Sequence, residues 1–391
     1  MTDPESRSES RIPPATTKPR GSELGEVGSP DSRRVPRADY LLWAKRRPHP
    51  TLDLARSDVP PCTLDDLPGV REALSLQGRN DEGWPPLVSA VAVRYGVEEQ
   101  QVVTATGASG ANFLACAALL RPGDEVIAER PGYDPMWAVP ELLGARLVWL
   151  DRRFEERFSV DVDRVAALVT PRTRLVVLTS PHNPTGVAIP VDVLRELDAL
   201  ADRRGFHVLV DEIYADSLID RPRPAAAALG PRLITTGSLT KTYGLSSLRC
   251  GWVLAAPDVA AEVLAARALV DGVGSVLTER AAAIAFGHLP ALLARARGVL
   301  EPNRRRFEAF MEREPTLEWV EPDGGTVAFP RLVSGEDAEG LAERLLRDHE
   351  TAVVPGHFFG APAHFRVALG IDAGELGRGL VSLSRSLRVA T

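Results

Sequence analysis

The sequence predicts an α/β fold, a mostly parallel sheet covered by helices, with a smaller α+β domain after it. Three observations predict it. Five short apolar or β-branched runs, each followed by turn residues, recur between residues 124 and 238. Helical stretches lie between them, and the one after Pro190 carries apolar residues at three- and four-residue spacing. From about residue 290 the rhythm changes to a long helix, short strands and a further helix. Strand, helix, strand in this order implies parallel neighbours with both faces of the sheet buried.

The strands are expected at 124–129 (DEVIAE), 146–150 (RLVWL), 174–180 (RLVVLTS), 207–212 (HVLVDE) and 233–238 (LITTGS), all continuous runs of the kind buried on two sides. One helix opens at Pro190 and runs through VDVLRELDALADRR until Gly205 stops it. Another extends from about Ser109 to Leu120, ending before RPGD. Near the C-terminus, PALLARARGVLEPNRRRFEAFMERE reads as the long helix, with strands around AVVPG and HFRVAL. The expected division is a disordered tail at 1–38, an N-terminal arm at 39–60 contributing to the small domain, a large domain at 61–289 and a small domain at 290–391.

Composition narrows the function. A formal net charge of -7 over 391 residues offers no basic field for nucleic acid. Cys62, Cys116 and Cys250 are widely separated and form no CxxC pair, which argues against a disulfide framework or a zinc site and fits a reduced, cytoplasmic setting. No apolar run approaches a membrane span, and the N-terminus lacks the apolar core of a signal peptide. The tail is rich in Ser, Pro, Arg and Glu, too polar to offset its ordering entropy, and its acidic residues Asp3, Glu5, Glu9, Glu23 and Glu26 count against a transit peptide.

In open α/β sheets ligands bind beyond the carboxyl ends of the strands, and four unusual clusters collect there. Gly107, Ala108, Ser109 and Gly110 lead into a helix whose free N–H groups suit a phosphate. Alone, that signal is weak, because small residues before a helix are often only close packing. Asn183 stands between Pro181 and Pro184 in SPHNPTG, a stiff loop holding an amide in place, although a lone Asn-Pro is usually a turn. Asp211 ends a buried strand in VDEIYAD, with Tyr214 three residues on; a lone acid there is usually a cap or an ion-pair partner. The fourth cluster is SLTKTYGLSSLRCGW, with Ser238, Lys241 and Arg249. Its lysine reads as a solvated cation, as the base of a serine hydrolase, or as an amine that bonds a carbonyl. Together the clusters supply phosphate ligands, partners for a phenolic oxygen, a carboxylate and a lysine, which are the requirements of pyridoxal phosphate.

The ordered set TGASGANF, SPHNPTG, VDEIYAD and SLTKTYGLSSLRCGW resembles the class I/II aminotransferases of pyridoxal-phosphate fold type I over about residues 40 to 391. The resemblance implies a seven-stranded type of sheet, pyridoxal 5′-phosphate as cofactor, a homodimer, and amino acids and 2-keto acids as substrates. It implies a ping-pong transamination through an internal aldimine on Lys241, which then carries the proton between Cα and C4′. Asp211 would pair with the ring nitrogen, and Asn183 and Tyr214 with the 3-hydroxyl oxygen. Gly107, Ala108, Ser109, Ser238 and Arg249 would hold the phosphate, and Tyr133 of RPGYDPMW would stack on the ring. Arg366, in FFGAPAHFRVALG, would clamp the substrate carboxylate.

The pattern also departs from the family. ARSDVPPC replaces the usual Gly-Glu-Pro-Asp turn, so Ser57 and Asp58 are expected to shape the substrate site differently. LQGRNDEGWPP lacks the tyrosine that relatives lend to a neighbouring subunit, and Ser247 replaces a common glycine. Tyr40 and Trp43 in DYLLWAK lie where the family's N-terminal arm crosses the active site, yet their spacing reads as plain helix packing. With no second arginine to read a side-chain carboxylate, a dicarboxylic substrate is not supported. SLTK also fits the Ser-x-x-Lys hydrolases, but their Ser-Asp-Asn and Lys-Thr-Gly strings do not occur. A non-catalytic sensor would need a DNA-binding domain, for which residues 1–38 are too short and polar. Elimination, replacement or cyclisation with the same cofactor stays open beside transamination.

Overall fold

Seven strands form the central sheet: β1 Val102–Thr106, β2 Glu125–Arg130, β3 Arg146–Asp151, β4 Thr173–Thr179, β5 His207–Asp211, β6 Leu233–Ser238 and β7 Cys250–Leu254. Their order is β1-β7-β6-β5-β4-β2-β3. All neighbours are parallel except β7, which runs antiparallel to both β1 and β6. The computed structural model describes residues 35–218 and 223–388. The tail expected at 1–38 lies outside the described residues except for its last four.

The five strands read from the sequence appear within a residue or so of their expected bounds. The two missed, β1 and β7, lie beside motifs whose small and polar residues hid them. VVTAT runs straight into the glycine-rich turn, and CGWVL follows Arg249. Among the helices, α1 spans Asp39–Arg46, α2 Gly107–Leu119, α3 Val191–Arg204 and α4 Leu289–Met311. Helix α3 shows the logic of the sheet cover. Leu194, Leu197, Leu200 and Ala201 point inward, and Gly205 ends the helix at φ 76°, a left-handed conformation that favours glycine.

A second apolar cluster lies apart from those of the sheet. Phe307, Phe310, Leu341, Leu345, Phe365, Leu376 and Leu383 pack together, and Leu52, Leu54 and Val59 of the arm join them. There a short antiparallel sheet is formed by β8 Val327–Ala328, β9 Val354–Pro355 and β10 Phe365–Ala368, with β10 in the middle. The arm is tied to it by parallel pairing of Leu52–Asp53 with Thr351–Ala352. The arm therefore passes from this cluster to the ends of β5 and β6, carrying Ser57 with it. All three cysteines are free thiols, and among the described residues no single helix is long and apolar enough to cross a membrane.

Candidate active site

A cavity of about 410 Å³ opens at the carboxyl ends of the parallel strands. It is lined by Tyr40, Ser57, Ala108, Ser109, Asn112, Tyr133, Asn183, Asp211, Tyr214, Thr240, Lys241 and Arg249, with Leu41 and Lys45 also in its wall. The four clusters singled out in the sequence have thus been brought to one place, together with Tyr133 and residues of the N-terminal arm.

At one end is the start of α2. Thr106, its N-cap, makes no side-chain hydrogen bond to the helix backbone, so the first N–H groups of the helix keep no side-chain cap. Gly107 takes φ +70°, and a Cβ there would come within 2.5 Å of an Arg249 Nη. Arg249 itself holds φ 51°, an uncommon conformation for a residue with a side chain, at the turn between Lys241 and β7. The absence of a side chain at residue 107 lets the guanidinium lie against the helix terminus. Ser238 departs from expectation in one respect: it is buried behind the cavity wall, sharing its hydroxyl with Thr240 at 2.9 Å, and Thr240 lines the cavity.

Asp211 ends β5 and is 3% exposed, with no ion-pair partner among the described residues. Burial raises its pKa above the ordinary carboxylate value, opposed by hydrogen bonds from Asn112 and the Ile213 N–H and by the charge of Lys241. Asn112 Nδ2 donates to Asp211 Oδ2 at 2.8 Å, and its Oδ1 accepts from Thr236 Oγ1 at 2.5 Å. This buried chain fixes the carboxylate, and the sequence reading missed it. The available signal was position: Asn112 lies one α-helical turn into the glycine-rich helix, facing the sheet.

Asn183 is held by its loop and by Arg366. His182 beside it is buried and neutral, its pKa pushed well down by burial, with ring nitrogens 2.8 Å from Thr185 Oγ1 and 2.9 Å from the Pro131 carbonyl. The second contact joins this loop to the one bearing Tyr133. Arg366 Nη1 donates to Asn183 Oδ1 at 3.0 Å, which leaves the amide nitrogen of Asn183 as the group with hydrogens to offer. Tyr214 is buried, and its hydroxyl donates to the Ser57 carbonyl at 3.2 Å. Lys241 Nζ donates to Ser57 Oγ at 2.9 Å. Ser57 is thus a hub: its carbonyl also accepts from Thr326 Oγ1 at 2.8 Å. Ser247 is exposed and away from these contacts.

Arg366, in β10, is 0% exposed. Besides Asn183, its guanidinium donates to the Ala55 carbonyl at 3.2 Å and to the Tyr40 hydroxyl, whose ring it also faces at 4.8 Å. Its Nε has no partner. Tyr40 therefore does more than pack α1 as expected: it lines the cavity and touches the arginine. Burial opposes ionisation of its phenol, but the charges of Arg366 and Lys241, with hydrogen bonds from Arg366 and Ser57, bring its pKa below the ordinary tyrosine value.

Fold and site together define an enzyme of the pyridoxal-phosphate fold type I class. The family model for aminotransferase class I and II matches residues 80–383. Capreomycidine synthase of Streptomyces vinaceus is 36% identical over 367 residues, 90% of this chain and 94% of that protein. Arginine–pyruvate transaminase AruH of Pseudomonas aeruginosa is 34% identical over 286 residues, 71% of this chain and 72% of its own. Among solved structures, a PLP-dependent aminotransferase from Streptococcus suis superposes with a TM-score of 0.86 at 27% identity, covering 91% of this chain and 99% of that one. The PLP-dependent cyclase OrfR gives 0.83 at 27%, covering 95% and 100%. The chain belongs to the class I and II aminotransferase family, and its cofactor is pyridoxal 5′-phosphate. The residues present fit that group: an uncapped helix terminus beside Arg249 for phosphate, a buried unpaired carboxylate for a protonated ring nitrogen, and Lys241 between them.

Proposed function

We propose that the enzyme moves an amino group between an amino acid and a 2-keto acid in two half-reactions, with Lys241 carrying the proton. The observation that supports it most is the burial of Arg366 away from any carboxylate. It is a fully buried guanidinium whose hydrogen-bond partners are an amide oxygen, a carbonyl and a phenol, with no carboxylate among the described residues close enough to form an ion pair. A buried cation without an anion is costly, and a substrate α-carboxylate meets that need through parallel N–H bonds.

Pyridoxal phosphate, when bound, supplies an electron sink for negative charge at the substrate Cα. The chain's residues then have defined tasks. Asp211, held by Asn112, would pair with the ring nitrogen and favour its protonated form. Asn183 offers its amide hydrogens, and Tyr214 its hydroxyl, to the ring oxygen. Tyr133, in the cavity wall, would stack on the ring, and Ala108, Ser109 and Arg249 would hold the phosphate. Lys241 Nζ, steadied by Ser57 Oγ, would be the base that takes the Cα proton and carries it. The N-terminal arm and the residues after 290 belong, in this reading, to a small domain that closes on the large one. A homodimer is supported by exposed Leu269, Val270 and Val273, next to Asp271, whose carboxylate lies 3.5 Å from Thr106 at the phosphate end.

A second reading is cyclisation within the bound amino acid, favoured by the nearly full-length similarity to capreomycidine synthase and to the cyclase OrfR. The same residues would remove the Cα proton, but the amino nitrogen would stay in the product. One experiment separates the two. The purified holoenzyme is mixed with single amino acids, no keto acid being present, and the absorbance and products are followed. Stoichiometric 2-keto acid with conversion of the cofactor to its aminated form supports transamination. A ring-closed amino acid formed in many turnovers supports cyclisation, and ammonia points to elimination. Borohydride should fix the cofactor to Lys241, read by peptide mass; attachment elsewhere would sink its role.

A further inference from the structure

Arg366 poses a steric problem for the function proposed above. As the carboxylate clamp it must touch substrate, yet it is 0% exposed and forms no part of the cavity wall. What separates it from the cavity is Tyr40. The phenol oxygen sits on one guanidinium nitrogen, the ring lies 4.8 Å from the guanidinium carbon, and Tyr40 itself lines the cavity on the other side.

We propose that Tyr40 is a specificity-determining residue that occupies the carboxylate position on Arg366 until a substrate carboxylate takes its place. The inference rests on the reading of Arg366 as the clamp. Three observations carry it. The phenol uses an N–H donor that a bidentate carboxylate would need. The guanidinium retains an unpartnered buried Nε, so the tyrosine satisfies it only in part. The phenol presents an oxygen to the guanidinium as a carboxylate would, and the charges of Arg366 and Lys241 hold its pKa below the ordinary tyrosine value against the effect of burial.

Helix α1 seats Tyr40 through few directional bonds. It has eight residues, no N-cap hydrogen bond, and its Tyr40 N–H is held by Asp134 Oδ2 at 2.8 Å. Its remaining seat is aromatic: Tyr40 on Phe359 at 5.5 Å and Trp43 on Phe358 at 5.3 Å. Aromatic contacts tolerate sliding better than a ladder of hydrogen bonds does. A plain amine gains nothing from displacing the phenol, because it brings no anion for Arg366. A carboxylate exchanges a phenol bond for a charge-assisted pair. The device therefore selects amino acids over amines.

The test uses the holoenzyme and propanoate, a carboxylate with no amino group, with propylamine as its counterpart. Binding is read from tryptophan emission, since Trp43 lies 6.3 Å from Tyr40, and from the cofactor's absorption. Tyr40→Phe keeps the ring and removes the competing hydroxyl. It should bind propanoate about three- to tenfold more tightly than the natural enzyme, the equivalent of one hydrogen bond no longer displaced. Propanoate, but not propylamine, should change the emission of the natural enzyme. Weaker or unchanged propanoate binding in Tyr40→Phe would overturn the proposal, because it would make Tyr40 a donor to the ligand or a bystander. An equal response to propylamine would overturn it as well. Failure of the clamp itself is read separately: Arg366→Gln that binds propanoate as tightly as the natural enzyme removes the underlying reading, whatever Tyr40 does.

Discussion

Replacing Asp134 by Asn should stabilise the protein at pH 8 and do so less at pH 5. Asp134 is 3% exposed; its Oδ2 accepts the Tyr40 N–H at 2.8 Å and its Oδ1 has no partner. Burial raises its carboxyl from 3.8 to about 6, against the pull of the Tyr40 hydrogen bond and the charge of Arg366. A group whose folded pKa is raised binds its proton more tightly in the native chain. Its favourable contribution is therefore complete below the unfolded value and is lost as pH rises through the folded one. The displacement corresponds to about 3 kcal/mol in all, of which about 1.4 kcal/mol is lost between pH 5 and pH 8. Asparagine keeps an acceptor for Tyr40 without the charge. In urea unfolding of the two proteins, the difference in stability should move by about 1.4 kcal/mol in favour of Asp134→Asn between pH 5 and pH 8. Comparing the two pH values removes any constant cost of the substitution. If the difference does not change, or moves the other way, the buried carboxylate is ionised and stabilised by Arg366 at both pH values, and the reasoning fails.

Asn112→Leu removes a hydrogen bond to a buried carboxylate and leaves the Thr236 hydroxyl without its acceptor. Affinity for pyridoxal phosphate should fall on the order of tenfold to a hundredfold, measured by titrating the cofactor-free protein. Gly107→Ala forces a Cβ toward Arg249 and strains a backbone at φ +70°, so binding should weaken for pyridoxal phosphate much more than for pyridoxal, which has no phosphate. Equal losses would place the damage elsewhere. Lys241→Ala should abolish turnover while cofactor binding falls only modestly; substantial residual turnover would remove the lysine from its role. Ser57→Ala frees Lys241 Nζ from its 2.9 Å partner and should lower kcat with little change in KM for the amino acid, as expected of a residue acting through the lysine.

Much of this protein was determined by the sequence alone, for a physical reason: its signals are local. Continuous apolar runs made five strands legible, four of them because a strand buried on both faces is largely apolar; the fifth, Arg146–Asp151, lies at the sheet edge and is only half-buried, against the expectation of two covered faces. Gly107, Asn183, Asp211 and Lys241 could be singled out because each is an unusual residue beside a strand end, and the fold brings Asn183, Asp211 and Lys241 into one cavity. What only the tertiary structure decided depends on contacts between distant segments. Asn112 acquires its task only when α2 lies against β5 and β6, and Ser57 only when the arm reaches Lys241, 184 residues away. Tyr40 shows the limit most clearly. Its spacing from Trp43 is that of helix packing, and nothing local marks it as the group covering Arg366, 326 residues later in the chain. Burial of that arginine is a property of the folded surface, and no window of sequence contains it.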